Sequence, residues 1–200
     1  MREHLHSLGI LGGTFNPVHL GHLRLAEDVR EDFGLDRVLF IPTNIPPHKE
    51  MQHSASPENR LRMVEAAVGG NRGFACDDTE IRRGGRSYTI DTVCCLYRRY
   101  TFEEKPFLLI GSDLFPELHT WKDIQELARL VEFIVLVRDG YPVENGMHSG
   151  IPNLRAHLFE KRRLEIASSE IRERALKGKS IRYLVPEEVY QYIMRKGLYT

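Results

Sequence analysis

Residues 8–22, Leu8-Gly9-Ile10-Leu11-Gly12-Gly13-Thr14-Phe15-Asn16-Pro17-Val18-His19-Leu20-Gly21-His22, govern how the chain is built. The first four form a strand-length apolar run that stops at paired glycines. Behind the turn, Leu23, Ala26, Val29 and Phe33 recur at spacings of three and four, which is one face of a helix. The segment therefore reads as strand, glycine turn, helix.

Working outward, the same alternation continues. Residues 38–41 end at Pro42, residues 107–110 at Gly111 and residues 133–137 at Arg138, and each is a short continuous apolar run. Between them lie helical patterns: Leu61, Val64, Ala67 and Val68; Ile90, Val93, Cys94 and Tyr97; Ile124, Leu127 and Leu130. Ser56 is placed to cap the first of these, with Pro57 at its first position. Continuous apolar strands alternating with helices predict a parallel sheet covered on both faces, a doubly wound α/β architecture. In such sheets ligands bind beyond the carboxyl ends of the strands, so the loops after Leu11, Ile41, Ile110 and Val137 should carry the chemistry. The tail differs. Residues 168–177 and 186–196 read as two helices, the second with Pro186 at its start and Gly197 just past its end. Residues 140–153 are expected to form a surface loop. The expected organisation is a single domain over 1–200 whose helical extension, 166–200, follows the sheet.

Composition bounds the function. Lys plus Arg number 28 and Asp plus Glu 28, so the net charge is zero and a generic nucleic-acid coat is not expected. Hydrophobic residues make up 42%, enough for one sizeable core. Three cysteines, Cys76, Cys94 and Cys95, give neither a disulfide framework nor a CxxC zinc pattern. No apolar run approaches the roughly 18 to 20 residues of a membrane span, and residues 1–7 carry no secretory pattern. A cytoplasmic protein without membrane partners is expected.

The first turn has phosphate-binding chemistry. Paired glycines allow close backbone approach, and the helix behind them offers free N–H groups and a partial positive end. His19 and His22, three apart, face one side of that helix start and can each donate an N–H to a phosphate oxygen. The turn matches neither GxxxxGK[ST] nor GxGxxG. Two other readings stay open on the residues alone. The histidines can be incidental to a strand–turn–helix joint, or they can share a metal ion, although the turn brings no carboxylate to complete such a site.

The segment from Gly12 to His22 resembles the opening of the HxGH nucleotidyltransferases. Later motifs narrow the resemblance: Ile41-Pro42-Thr43-Asn44-Ile45-Pro46-Pro47-His48-Lys49; Ser87-Tyr88-Thr89-Ile90-Asp91-Thr92; Gly111-Ser112-Asp113 with Trp121 eight residues on; Val135-Leu136-Val137-Arg138; and the tail, 166–172 with Leu184-Val185-Pro186 and Gly197-Leu198-Tyr199. Together, over residues 8–199, they resemble the bacterial nicotinate mononucleotide adenylyltransferase family.

The resemblance implies a Rossmann-like fold and transfer of the adenylyl group of ATP to nicotinate mononucleotide, with release of pyrophosphate. It implies that His19, His22 and Arg172 act on the triphosphate. Gly12, Gly13, Thr14, Phe15, Gly111, Asp113, Ser168 and Ser169 are then expected to bind ATP. Asn44, Lys49, Ser87, Tyr88, Thr89 and Trp121 are expected to bind nicotinate mononucleotide. Asp113 suits a ribose diol, Trp121 offers a flat face for a pyridine ring, and the helix opened by Ser87-Tyr88-Thr89 suits a carboxylate. Mg²⁺ is implied as a companion of ATP, with no protein metal cage. Partners are small molecules, and a homo-oligomer is left open. One departure stands out: where the family reads Ile-Ser-Ser-Thr or Ile-Ser-Ala-Thr, this chain has Ile166-Ala167-Ser168-Ser169. The rivals are a sister transferase with another acceptor, a nucleotide-binding regulatory module without catalysis, and a zinc protein.

Overall fold

The computed structural model describes residues 3–46, 55–137, 150–160 and 164–200. In chain order the elements are β1 (Glu3–Leu5), β2 (Leu8–Gly13), α1 (Leu20–Asp32), β3 (Arg37–Pro42), α2 (Pro57–Val68), β4 (Phe74–Cys76), α3 (Thr79–Arg83), α4 (Thr89–Arg99), β5 (Tyr100–Phe102), β6 (Phe107–Gly111), a short 3₁₀ helix (Phe115–Thr120), α5 (Ile124–Leu130), β7 (Glu132–Leu136), β8 (Ala156–Phe159), α6 (Ser168–Leu176) and α7 (Glu187–Lys196). Six strands form one parallel sheet in the order β4-β3-β2-β6-β7-β8. The chain winds outward from β2 through β3 to β4, then crosses back to β6 and winds outward the other way. The switch lies between β2 and β6, where a doubly wound sheet leaves a crevice at its carboxyl edge.

Alternation along each strand divides the core into two layers. Val38, Phe40, Leu109, Ile134 and Leu136 face one layer with Ala26 and Val29 of α1 and Met63, Val64 and Val68 of α2. Leu39, Ile41, Leu108, Ile110, Phe133 and Val135 face the other, against Ile90, Val93 and Leu96 of α4 and Leu127 of α5. Burial on both faces is why these strands read as unbroken apolar runs. The tail belongs to the first layer, through Ile171, Ile181, Val185, Val189, Ile193 and Tyr199.

Several elements lie outside the sequence pattern. β1 and β5 make a separate two-stranded parallel sheet. β4 and β8 close the two edges of the main sheet, and α3 is a single five-residue turn. Ser56 accepts a hydrogen bond from the Asn59 N–H and caps α2, with Pro57 at its first position. Pro186 precedes α7, and Gly197 ends it at φ 56°. Most of the expected 140–153 loop, and Arg138, lie outside the described residues. Among the described residues, no helix is long and apolar enough to cross a membrane.

Candidate active site

A cleft of about 1410 Å³ opens at the switch point, along the carboxyl ends of β2 and β6. One wall is the turn after β2. His19 is the cap residue of α1, and its backbone N–H donates to His22 Nδ1 at 3.3 Å. The two imidazoles stack, with ring centroids 3.7 Å apart and planes 27° from parallel. His19 is only 6% exposed, and its Nδ1 is buried without a hydrogen-bond partner among the described residues. Burial pulls its pKa down to about 4, so the ring is neutral at physiological pH.

Two glycines explain the turn's spelling. A Cβ on Gly21 would sit 3.1 Å from His19 Nδ1 and 3.2 Å from the Leu164 carbonyl, so this position keeps the imidazole where it is. A Cβ on Gly13 would press on the Phe15 ring at 3.1 Å. Phe15 itself, at φ 48°, turns its ring into the core against Phe40 and His22, so its backbone rather than its ring is what a ligand at the cleft can use.

The tail closes over this turn. The Ser168 hydroxyl donates to the Pro17 carbonyl and Arg172 Nη1 to the Asn16 carbonyl, both at 2.8 Å. The Tyr199 hydroxyl donates to Asn16 Oδ1 at 2.8 Å, and the Leu20 N–H to the Leu184 carbonyl at 3.0 Å. Ala167, Ser168, Ser169 and Arg172 line the same cleft as Gly12, Gly13, Thr14, His19 and His22. The N-terminal turn and the start of α6 thus face one space. Ala167 is the cap residue of α6 and makes no side-chain cap. The hydroxyl that this chain lacks at position 167 would stand at the cap position, while the backbone N–H groups of the helix start remain.

Arg60 was not singled out by the sequence, yet it ties the site together. It is fully buried. Its Nη1 donates to the carbonyls of Thr14 at 2.8 Å and Thr43 at 2.6 Å, its Nη2 to Asn44 at 2.9 Å, and its Nε to Ala55 at 3.3 Å. One planar fork thereby holds the turn after β2, the loop after β3 and the entry to α2 in register.

The opposite wall is built from α4 and the segment after β6. Gly111 ends β6 and Asp113 follows it on the cleft wall. The 3₁₀ helix takes Leu114 as its cap residue, so Asp113 does not cap it. Trp121 is half-buried, packs on the second core layer and lines the cleft. Next to it, Lys122 lies 4.9 Å from the Tyr88 ring centroid and bonds both oxygens of Asp91 at 3.0 and 3.1 Å. These contacts bring Trp121 up to the start of α4, where Ser87, Tyr88 and Thr89 also line the cleft. Tyr88 is the cap residue of α4 and makes no side-chain cap. Ser87 serves elsewhere: its Oγ accepts the Asn44 N–H at 2.9 Å. Asn44 does not line the cleft; its side chain donates to the Gly85 carbonyl at 2.9 Å. Lys49 lies outside the described residues. Burial pushes the half-buried Cys76 thiol up to about 12, which makes it a poor nucleophile.

A switch-point cleft with two stacked imidazoles at one helix start, an arginine at a second and a half-buried indole beside a third is suited to hold a polyphosphate and a flat ring side by side. The fold and this site define a nucleotidyltransferase, and the cytidylyltransferase-like family model matches residues 10–174. The chain is 42% identical over 192 residues to a probable nicotinate-nucleotide adenylyltransferase of Opitutus terrae, covering 96% of this chain and 97% of that protein. It is 44% identical over 199 residues to one of Desulfitobacterium hafniense, covering 96% and 95%. This chain belongs to the nicotinate-nucleotide adenylyltransferase family. Its fold is shared with a Plasmodium falciparum nicotinic acid mononucleotide adenylyltransferase solved in complex with NaAD, at TM-score 0.75 and 19% identity over 97% of both chains.

Proposed function

We propose that the cleft aligns two substrates for in-line displacement, in an enzyme that transfers the adenylyl group of ATP to nicotinate mononucleotide and releases pyrophosphate in the synthesis of NAD. The observation that carries the residue assignment is the meeting of the N-terminal turn with the start of α6 through Ser168 and Arg172. The acceptor's phosphate oxygen attacks the α-phosphorus, a P–O bond forms, and the bond to the β-phosphate's bridging oxygen breaks. The attacking oxygen is already anionic, so no general base is needed, and catalysis reduces to alignment and charge stabilisation.

In this reading His19, His22 and Arg172 stabilise the triphosphate and the departing pyrophosphate, and the backbone of residues 12–15 with Ser168 and Ser169 cradles it. Gly111 and Asp113 take the adenosine half. The pyridine ring stacks on Trp121, and its carboxylate meets the free N–H groups at the start of α4, near Ser87, Tyr88 and Thr89. For Asn44 the reading keeps an indirect part, through Ser87; Lys49 is retained as a phosphate contact. Enzymes of this kind generally take ATP with a divalent metal. We take it to be Mg²⁺ bound by the triphosphate and water. Magnesium usually keeps phosphate and water ligands with few protein carboxylates. It would neutralise phosphate charge. The reading also treats the chain as one catalytic domain, supported by the core that the tail shares with the sheet, and as a cytoplasmic enzyme acting on small molecules.

The test is a substrate panel. With ATP and Mg²⁺, pyrophosphate release is expected with nicotinate mononucleotide and much less with its amide; release only with phosphopantetheine or glycerol phosphate overturns the acceptor. Trp121→Ala is expected to raise the KM for the pyridine nucleotide more than that for ATP. Equal changes in the two would assign Trp121 to packing.

A further inference from the structure

Glu80 is a buried acid that the mechanism does not use. It is 5% exposed, lines the cleft, and stands on α3, next to the start of α4. The Thr92 hydroxyl donates to Glu80 Oε1 at 2.6 Å, while both Nη groups of Arg83 donate to Thr92 Oγ1 at 3.2 Å. Glu80 Oε2 is buried, and among the described residues no close hydrogen bond is made to it. Burial pushes the carboxyl upward, toward its neutral form, against the pull of the Ser87 and Thr92 hydroxyls and of Arg83. Thr92 belongs to the first turn of α4. The chain of contacts from Arg83 through Thr92 to Glu80 therefore fixes the helix start that Ser87, Tyr88 and Thr89 present to the cleft.

A buried carboxyl is costly, and one left with a free oxygen is costlier. A core that needed only packing here would be served by an apolar side chain. What Glu80 adds is a directional anchor for one turn of one helix, the start of α4.

We propose that Glu80 is a positioning residue for the acceptor: by anchoring Thr92 it aims the free N–H groups at the start of α4 toward the acceptor's carboxylate. This rests on the assignment of that helix start to the pyridine carboxylate. Glu80 does not touch substrate, and its effect passes through α4.

The experiment compares steady-state kinetics of the full-length wild type, Glu80→Ala and Glu80→Gln with ATP and nicotinate mononucleotide. Glu80→Ala is expected to raise the acceptor KM roughly 10-fold or more and to leave the ATP KM within about 2-fold. Glu80→Gln keeps an oxygen for the Thr92 hydroxyl and is expected to restore most of the acceptor KM. A purely structural role would instead lower thermal stability without separating the two KM values. Should Glu80→Ala fail to fold, Thr92→Val carries the same expectation. Equal changes in both KM values, or a glutamine variant as impaired as the alanine one, overturn the proposal. Failure of the acceptor assignment would show earlier and elsewhere, as wild-type protein that does not turn over nicotinate mononucleotide, and would remove this proposal with it.

Discussion

His19→Ala is expected to lower turnover roughly 10²- to 10³-fold, the usual loss when one transition-state donor is removed. The ring is nine-tenths buried, neutral, stacked on His22 at 3.7 Å and held off any neighbour at Nδ1. Burying an imidazole whose Nδ1 finds no hydrogen-bond partner among the described residues is costly, and the stacked pair keeps it there. Alanine at position 22 should act in the same direction. Measured kcat at saturating substrates decides the matter, and near-normal turnover in both variants would take the pair out of the chemistry. The buried ring also predicts the sign of an acid effect. Its folded pKa, about 4, lies below the ordinary 6.5, so the unfolded chain takes up the proton first. Stability contributed by neutral His19 is whole above pH 6.5 and is lost as pH falls toward 4. Unfolding midpoints measured across that window should fall for the wild type and fall less steeply for His19→Ala.

The largest stability loss is expected from Arg60→Met. The guanidinium satisfies carbonyls of Thr14, Thr43, Asn44 and Ala55 from a fully buried position. Methionine matches much of its bulk and none of its donors. A carbonyl shielded from water and left without a partner costs about 1–3 kcal/mol; three of the four are only partly buried and can recruit water, so the sum is roughly 3–5 kcal/mol. Arg60→Lys should fall between, since an ammonium cannot reproduce a fork that spans four carbonyls. Turnover measured well below the unfolding transition should also drop, because the turn after β2, through Thr14, loses the brace that holds it against the loop after β3. A denaturant midpoint unchanged in Arg60→Met would show that these carbonyls find other partners.

Much of this architecture was legible. The four long strands and the main helices stand out because burial on two faces leaves an unbroken apolar run, and burial on one leaves a period of three to four. The short edges did not. β4 has three residues, β8 reads Ala-His-Leu-Phe with two exposed positions, and β1 begins Glu-His. Such strands are held by pairing with a neighbour, which leaves little mark in their own composition. The turn and tail motifs were legible through resemblance, and the structure brings His19, His22, Ser168, Ser169 and Arg172 to one cleft.

Arg60 was hidden because a lone arginine on an amphipathic helix ordinarily lies in solvent. A signal was nevertheless present. Arg60, Met63, Val64 and Ala67 keep helical spacing, and the buried stripe of α2 runs through Arg60, Met63, Val64 and Val68 rather than through the half-buried Leu61. Glu80 was hidden too, in the polar stretch Asp77-Asp78-Thr79-Glu80, which carries no apolar periodicity.

The tie between the first turn and the tail spans 151 residues at Ser168 and 156 at Arg172. Contacts that remote form late, once loop-closure entropy has been overcome. Nucleotide gripped by both segments would therefore act as a fastener on the completed fold, drawing the native population upward by mass action.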